Sequence, residues 1–122
     1  MTKKQYQPAV AALHDAHSIC IVTHLRPDAD AIGSAAALLL ALRQRGKDVC
    51  AVVGQEREIS RNLYTIPAAD DVTTSRELPE GYDLYVTVDC GSLDRTGFFA
   101  DRIEQLAQQG RVLCIDHHSS NP

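Results

Sequence analysis

The chain has 122 residues, 44% of them hydrophobic, and carries 12 basic against 16 acidic side chains for a formal net charge of −4. That length supports a single core and is too short for two ordinary domains, and the acidic balance lacks the cationic face with which proteins grip long duplex nucleic acid. The longest apolar stretch, AAALLLAL, is less than half of the roughly 20 residues that span a bilayer as a helix, and no apolar run of signal-peptide length follows MTKKQYQPAV, so a cytoplasmic protein without membrane partners is expected.

In chain order, helix formers with apolar spacing at Val10 and Leu13 predict a short N-terminal helix over Pro8–Ala16, followed by a first strand over Ser18–Thr23. After the polar loop LRPD, an alanine- and leucine-rich segment from Ala31 to Arg45 predicts a helix, with basic residues in its last turn and Gly46 just beyond its end. Gly33, in the first turn of that helix, suggests close approach of another backbone or a ligand. A valine-rich strand over Asp48–Val53 comes next. Glu58–Tyr64 is expected to form a short helix and Asp71–Thr74 a short edge strand, with LPEGYD as a loop. The remaining elements are a strand over Asp83–Val88, an amphipathic helix over Phe98–Gln109 that stops at Gly110, and a strand over Arg111–Ile115. This alternation predicts an α/β fold: an open, mostly parallel, five-stranded Rossmann-like sheet with helices on both faces. Cys20, Cys50, Cys90 and Cys114 form no CxxC or CxxCH pattern and read as reduced core thiols.

Three of the predicted strands end in metal-type ligands. His24, Asp28 and Asp30 follow the first, Asp89 follows DLYVTV, and Asp116, His117 and His118 follow RVLCI. In a parallel sheet the carboxyl ends of the strands share one edge, so the three clusters are expected to meet in one crevice. Gathered carboxylates need counter-charge; divalent cations supply it, and phosphate-ester hydrolysis is the chemistry that commonly uses several. Plainer roles compete with this one. Either Asp28 or Asp30 is a good N-cap for the following helix, although one cap needs neither a second carboxylate nor a histidine, and Asp89 before Cys-Gly-Ser also reads as a turn signal. The oxygen and imidazole donors favour manganese or magnesium, with iron or cobalt as further occupants, and a thiolate from Cys90 or Cys114 is the alternative ligand. Neighbouring residues in extended chain point oppositely, so His117 and His118 are expected to differ in role, with Asp116 orienting a histidine. Arg26 and Arg95 are candidate phosphate clamps, while His14 and His17 are expected to stay outside the site. No glycine-loop phosphate motif is present.

THLRPDADAIGS, VDCG and IDHH, in this order, resemble three motifs of the DHH phosphoesterases, and within them the branch of nanoRNases and pAp phosphatases, which includes the exopolyphosphatase-related proteins. The resemblance runs from Ile19 to His118. It implies that His24, Asp28 and Asp89 hold one manganese ion and Asp30, Asp89 and His117 a second, with magnesium or cobalt as substitutes, that His118 contacts the scissile phosphate, and that hydroxide attacks phosphorus at this two-metal centre. Asp89, Asp116 and His118 are thus the expected catalytic residues. Ala29 stands where relatives often have glycine. The substrates implied are short oligoribonucleotides and 3′-phosphoadenosine 5′-phosphate; a homodimer is also implied. Relatives carry a further metal-binding motif and a C-terminal substrate-binding domain beyond the Asp-His-His, so residues 1–122 are expected to be an incomplete N-terminal catalytic domain, poorly active alone. Inorganic pyrophosphatase or exopolyphosphatase activity, and a non-catalytic nucleotide-binding module, are the competing functions.

Overall fold

The computed structural model describes residues 10–115. Residues 10–15 are helical (α1), and five strands follow: β1 (Ser18–Thr23), β2 (Asp48–Val53), β3 (Val72–Thr74), β4 (Leu84–Val88) and β5 (Val112–Ile115). Two longer helices, α2 (Ala29–Gln44) and α3 (Ala100–Gln108), connect β1 to β2 and β4 to β5. Every strand pairing is parallel, and the order across the sheet is β3-β2-β1-β4-β5.

Covered on both faces, the central strands read as nearly unbroken apolar runs, the pattern of a parallel sheet sandwiched between helices. Side chains alternate between the faces. Ile19 and Ile21 of β1 pack with Ile32, Ala35, Leu39 and Leu42 of α2, whereas Cys20 and Val22 pack with Phe99 and with Ile103 and Leu106 of α3. The expected α/β sheet with helices on both faces is therefore the observed fold.

Several element boundaries differ from expectation for local reasons. Helix α2 begins two residues early, because Asp28 takes the N-cap and accepts the Ala31 N–H at 2.9 Å. In place of a helix over Glu58–Tyr64, a short 3-10 helix forms a few residues later, over Arg61–Thr65, without a side-chain cap, and a second 3-10 turn, Ala69–Asp71, follows it. Helix α3 starts at Ala100, since Gly97 just before it adopts φ 66°, ψ −125°, which no helix contains. A Cβ added at Gly33 would meet nothing within 4 Å, so no approach of another backbone explains that glycine. Cys20 and Cys90 are buried and Cys50 half-buried, but Cys114 is exposed rather than in the core, because β5 is an edge strand with its end uncovered.

At the amino edge of the sheet, Asp83 locks β1 to β4. Its carboxylate accepts the His17 and Ser18 N–H groups at 2.9 and 3.3 Å, while its own N–H donates to Ser18 Oγ at 2.9 Å. The two backbone donors hold the Asp83 carboxyl below its ordinary value of 3.8. A depressed carboxylate contributes stability that is present above its unfolded pKa and lost as pH falls through the folded one. Asp83→Asn is thus expected to melt below the parent chain at pH 7, with the gap closing as pH drops below about 4. Thermal unfolding midpoints from pH 7 to pH 2 check this; a constant gap contradicts it.

Candidate metal centre

The chain leaves β1 towards β2 on one side of the sheet and leaves β4 towards β5 on the other. Between these two strands the strand order reverses, and ligands of open α/β sheets bind outside the carboxyl ends at such a point. His24 follows β1 and Asp89 follows β4 directly at this position. A buried hydrogen bond from Thr23 Oγ1 to the Val88 carbonyl, 2.9 Å long, fastens the two strand ends together immediately below them. The Asp89 N–H then donates to the carbonyl of Ile115 at the end of β5, at 3.1 Å.

These anchors bring His24 Nε2 to 3.6 Å from Asp89 Oδ2 and 3.8 Å from Asp28 Oδ1. One ligand atom from each of the three residues lies within 4.8 Å of the others. Two donors that each sit about 2.1 Å from a common cation are about 3 to 4 Å apart, so the spacing fits a shared divalent ion. The histidine is set up for this. Its Nδ1–H donates to the Leu25 carbonyl at 2.6 Å, which turns Nε2 towards the carboxylates, the orientation a metal-ligating histidine takes.

Burial sharpens the electrostatics. Asp89 retains 4% of its accessible surface and His24 7%, whereas Asp28 is exposed. A carboxylate so deeply placed, with a second one close by, is an environment that a cation would stabilise. Asp89 also adopts φ 54°, a left-handed conformation uncommon for a residue with a side chain, though aspartate and asparagine tolerate it better than most. Backbone strain of this kind concentrates where a side chain must be aimed.

Asp28 reconciles two readings of the sequence, since the carboxylate that caps α2 is also the one facing His24. Asp30 lies in the first turn of α2, exposed, and is not part of the three-residue cluster. Asp116, His117 and His118 lie outside the described residues. Arg95 brings Nη2 to 3.5 Å from His24 Nδ1. Arg26, with φ 47°, lines a groove next to the cluster instead. His14 and His17 sit at the opposite, amino edge, where Lys47 Nζ donates to the His14 and Ala16 carbonyls.

Sequence reasoning missed that groove. Its volume is about 700 Å³, and its walls come from Leu25–Pro27, residues 54–60 and Gly97–Phe98. The segment Leu93–Phe99 crosses the carboxyl edge from β4 and meets the end of β2, where the Phe98 N–H donates to the Gly54 carbonyl at 3.1 Å and the Leu25 N–H donates to the Arg95 carbonyl at 2.8 Å. A side chain on Gly54 would strike the Thr96 carbonyl, and one on Gly97 would strike the Gly54 carbonyl and Leu25. Both glycines stand beside strand or helix ends in the sequence, where they read only as punctuation.

An all-parallel α/β domain with an imidazole and two carboxylates gathered at its switch point is thus the class that fold and site define. Residues 18–122 match the DHH family, N-terminal domain, and the chain belongs to that family. It is 34% identical over 105 residues to the bifunctional oligoribonuclease and PAP phosphatase NrnA of Thermus thermophilus, an alignment covering 85% of this chain and 29% of that protein. A crystal structure of an exopolyphosphatase-related protein from Bacteroides fragilis superposes with a TM-score of 0.76 at 26% identity, covering 98% of this chain and 37% of the other. The chain therefore spans well under half the length of either relative.

Proposed function

We propose that the chain is the catalytic domain of a manganese-dependent phosphoesterase that releases mononucleotides from very short RNA and phosphate from 3′-phosphoadenosine 5′-phosphate. The observation that carries this reading is the convergence of His24, Asp28 and Asp89 within 4.8 Å at the switch point. Membership of the DHH family and the similarity to the Thermus oligoribonuclease and phosphatase support the substrate class. Oxygen and nitrogen donors without a thiolate favour manganese or magnesium over structural zinc.

In this reading His24, Asp28 and Asp89 hold one cation, and Asp30, Asp89 and His117 a second. Divalent cations bound there supply Lewis acidity to the phosphoryl oxygens and lower the pKa of a water nucleophile. The chain's own residues do the positioning. Leu25 holds the His24 ring through Nδ1, the N-cap bond holds Asp28, and the Thr23–Val88 bond sets the distance between the two strand ends. Asp116 orients a histidine, His118 contacts the scissile phosphate, and Arg95, beside His24, neutralises a phosphate oxygen. Reduced thiols, and the absence among the described residues of any helix long and apolar enough to cross a membrane, are in keeping with a cytoplasmic enzyme.

A second reading, hydrolysis of pyrophosphate or polyphosphate, is favoured by the Bacteroides structure, an exopolyphosphatase-related protein. The two separate on a panel of labelled RNA dimers to pentamers, 3′-phosphoadenosine 5′-phosphate and pyrophosphate, assayed with full-length protein and manganese. Cleavage of the nucleotides, abolished by a chelator and restored by manganese, is expected. Cleavage of pyrophosphate alone would transfer the assignment to the second reading, and manganese binding with no cleavage would leave a binding module.

A further inference from the structure

We propose that the groove beside the metal cluster is a nucleobase subsite and that the Phe98 ring is its stacking surface. The proposal rests on the phosphoesterase reading for the identity of the phosphate but not for the presence of the base. Leu25, Pro27, Ile59 and Phe98 supply apolar lining, and Arg26 and Arg57 stand among them. Its volume of about 700 Å³ lies within the roughly 300 to 1,000 Å³ of small-molecule sites.

Phe98 is an exposed aromatic residue on an anchored backbone. The residue keeps 53% of its accessible surface, yet its N–H is bound to the Gly54 carbonyl and the next residue, Phe99, is fully buried against β1 and β2. The guanidinium of Arg76 lies 5.6 Å from the ring centroid and is itself held by Glu56. Arg76 covers one face of the ring and is not among the residues that line the groove, so the base is placed against the other face. A fixed, solvent-facing aromatic ring is what base stacking needs, since any nucleobase presents a π-face.

The charges are arranged to match. Gln55 spends its side-chain amide on the backbone, accepting the Arg26 N–H and donating to the Arg57 carbonyl, both at 2.7 Å. Neither guanidinium, of Arg26 or of Arg57, pairs with a carboxylate among the described residues; of the two carboxylates on the same wall, Glu56 is paired with Arg76 and Glu58 forms no ion pair among the described residues, so two guanidinium groups face one uncompensated carboxylate. Arg26 is two residues from both His24 and Asp28, at most about 7 Å along the chain. A phosphate at the cluster and a base in the groove therefore belong to one nucleotide, with Arg26 between them. Pyrophosphate has no base and would leave the groove empty.

The chain contains two phenylalanines, Phe98 in the groove and Phe99 in the core, so selective ¹³C labelling of their rings reports the site together with an internal control. Titration with adenosine 5′-monophosphate is expected to move the Phe98 ring resonances and leave those of Phe99 in place, whereas ribose 5-phosphate, which lacks the base, moves neither. Phe98→Ala is expected to raise the Kd for adenosine 5′-monophosphate about tenfold and leave that for ribose 5-phosphate unchanged, and Phe98→Tyr to restore the parent affinity. Equal affinity of Phe98→Ala and the parent chain for the nucleotide, or no binding at all, would overturn the proposal. A response of Phe98 to a peptide or an apolar segment but not to the nucleotide would assign the groove to a protein partner. Because the readout is binding, it stands whether or not the chain hydrolyses anything.

Discussion

Asp89→Asn is expected to lower manganese-dependent phosphodiester hydrolysis by about a thousandfold or more while leaving the fold intact. Loss of an outer partner of a metal ligand already costs about 10- to 100-fold in affinity or activity, and in the proposed reading Asp89, 3.6 Å from His24 Nε2 and 4% exposed, touches the ion itself. Asparagine keeps the shape, tolerates the φ of 54° at least as well as aspartate, and removes only the charge. The melting temperature should therefore stay close to that of the parent chain, or rise slightly where no metal is present, because two nearby carboxylates no longer repel. Asp28→Asn offers the contrast. Asparagine caps a helix about as well as aspartate, so α2 survives and only metal affinity falls. Calorimetric titration with manganese and kcat/KM measured together distinguish these outcomes. Full activity in Asp89→Asn would remove Asp89 from the site.

The largest expected effect on stability is that of Gly97→Ala, a loss of about 3 kcal/mol or more. Two causes add. The conformation at φ 66°, ψ −125° is one that side-chain-bearing residues avoid, and the new methyl group would meet the Gly54 carbonyl and the Leu25 side chain. Relief would require the 93–99 segment to lift off β2, which would also free Leu25 and loosen the loop that holds His24 and Asp28. Of a total stability of about 5 to 15 kcal/mol for a domain, this is a large share. Gly110→Ala is the control, since Gly110 also has positive φ (73°) but open space around it, and its cost should be only about 1 to 2 kcal/mol. Urea midpoints for the two variants test the argument; equal losses would show that the Gly54–Gly97 contact contributes nothing.

What the sequence disclosed and what it concealed follow from the range of the interactions involved. The runs SICIVT and LYVTV were legible as strands because a parallel sheet buried on both faces asks for continuous apolar chain. His24 and Asp89 were legible as partners because each terminates such a run, and strand ends in this fold share an edge. Asp28 was half legible. Its capping and its ligand-type roles looked like alternatives in one dimension, and only the three-dimensional turn shows that the carboxylate capping α2 also faces His24. The groove was not legible at all, because it depends on a loop that crosses from β4 to β2 and on a backbone contact between Gly54 and Gly97, residues 43 positions apart by their numbers (97 − 54). Nor could the exposure of Cys114 be read from its apolar neighbours, since it follows from the edge position of β5.

The central claim is that the carboxyl edge between β1 and β4 binds a divalent cation, and anomalous diffraction at the manganese absorption edge, from crystals grown with manganese, tests it most directly. A peak bounded by His24 Nε2 and the carboxylates of Asp28 and Asp89, absent from Asp89→Asn crystals grown alike, is the predicted result. An empty cluster in the parent crystals, or a peak that persists unchanged in Asp89→Asn, would contradict it.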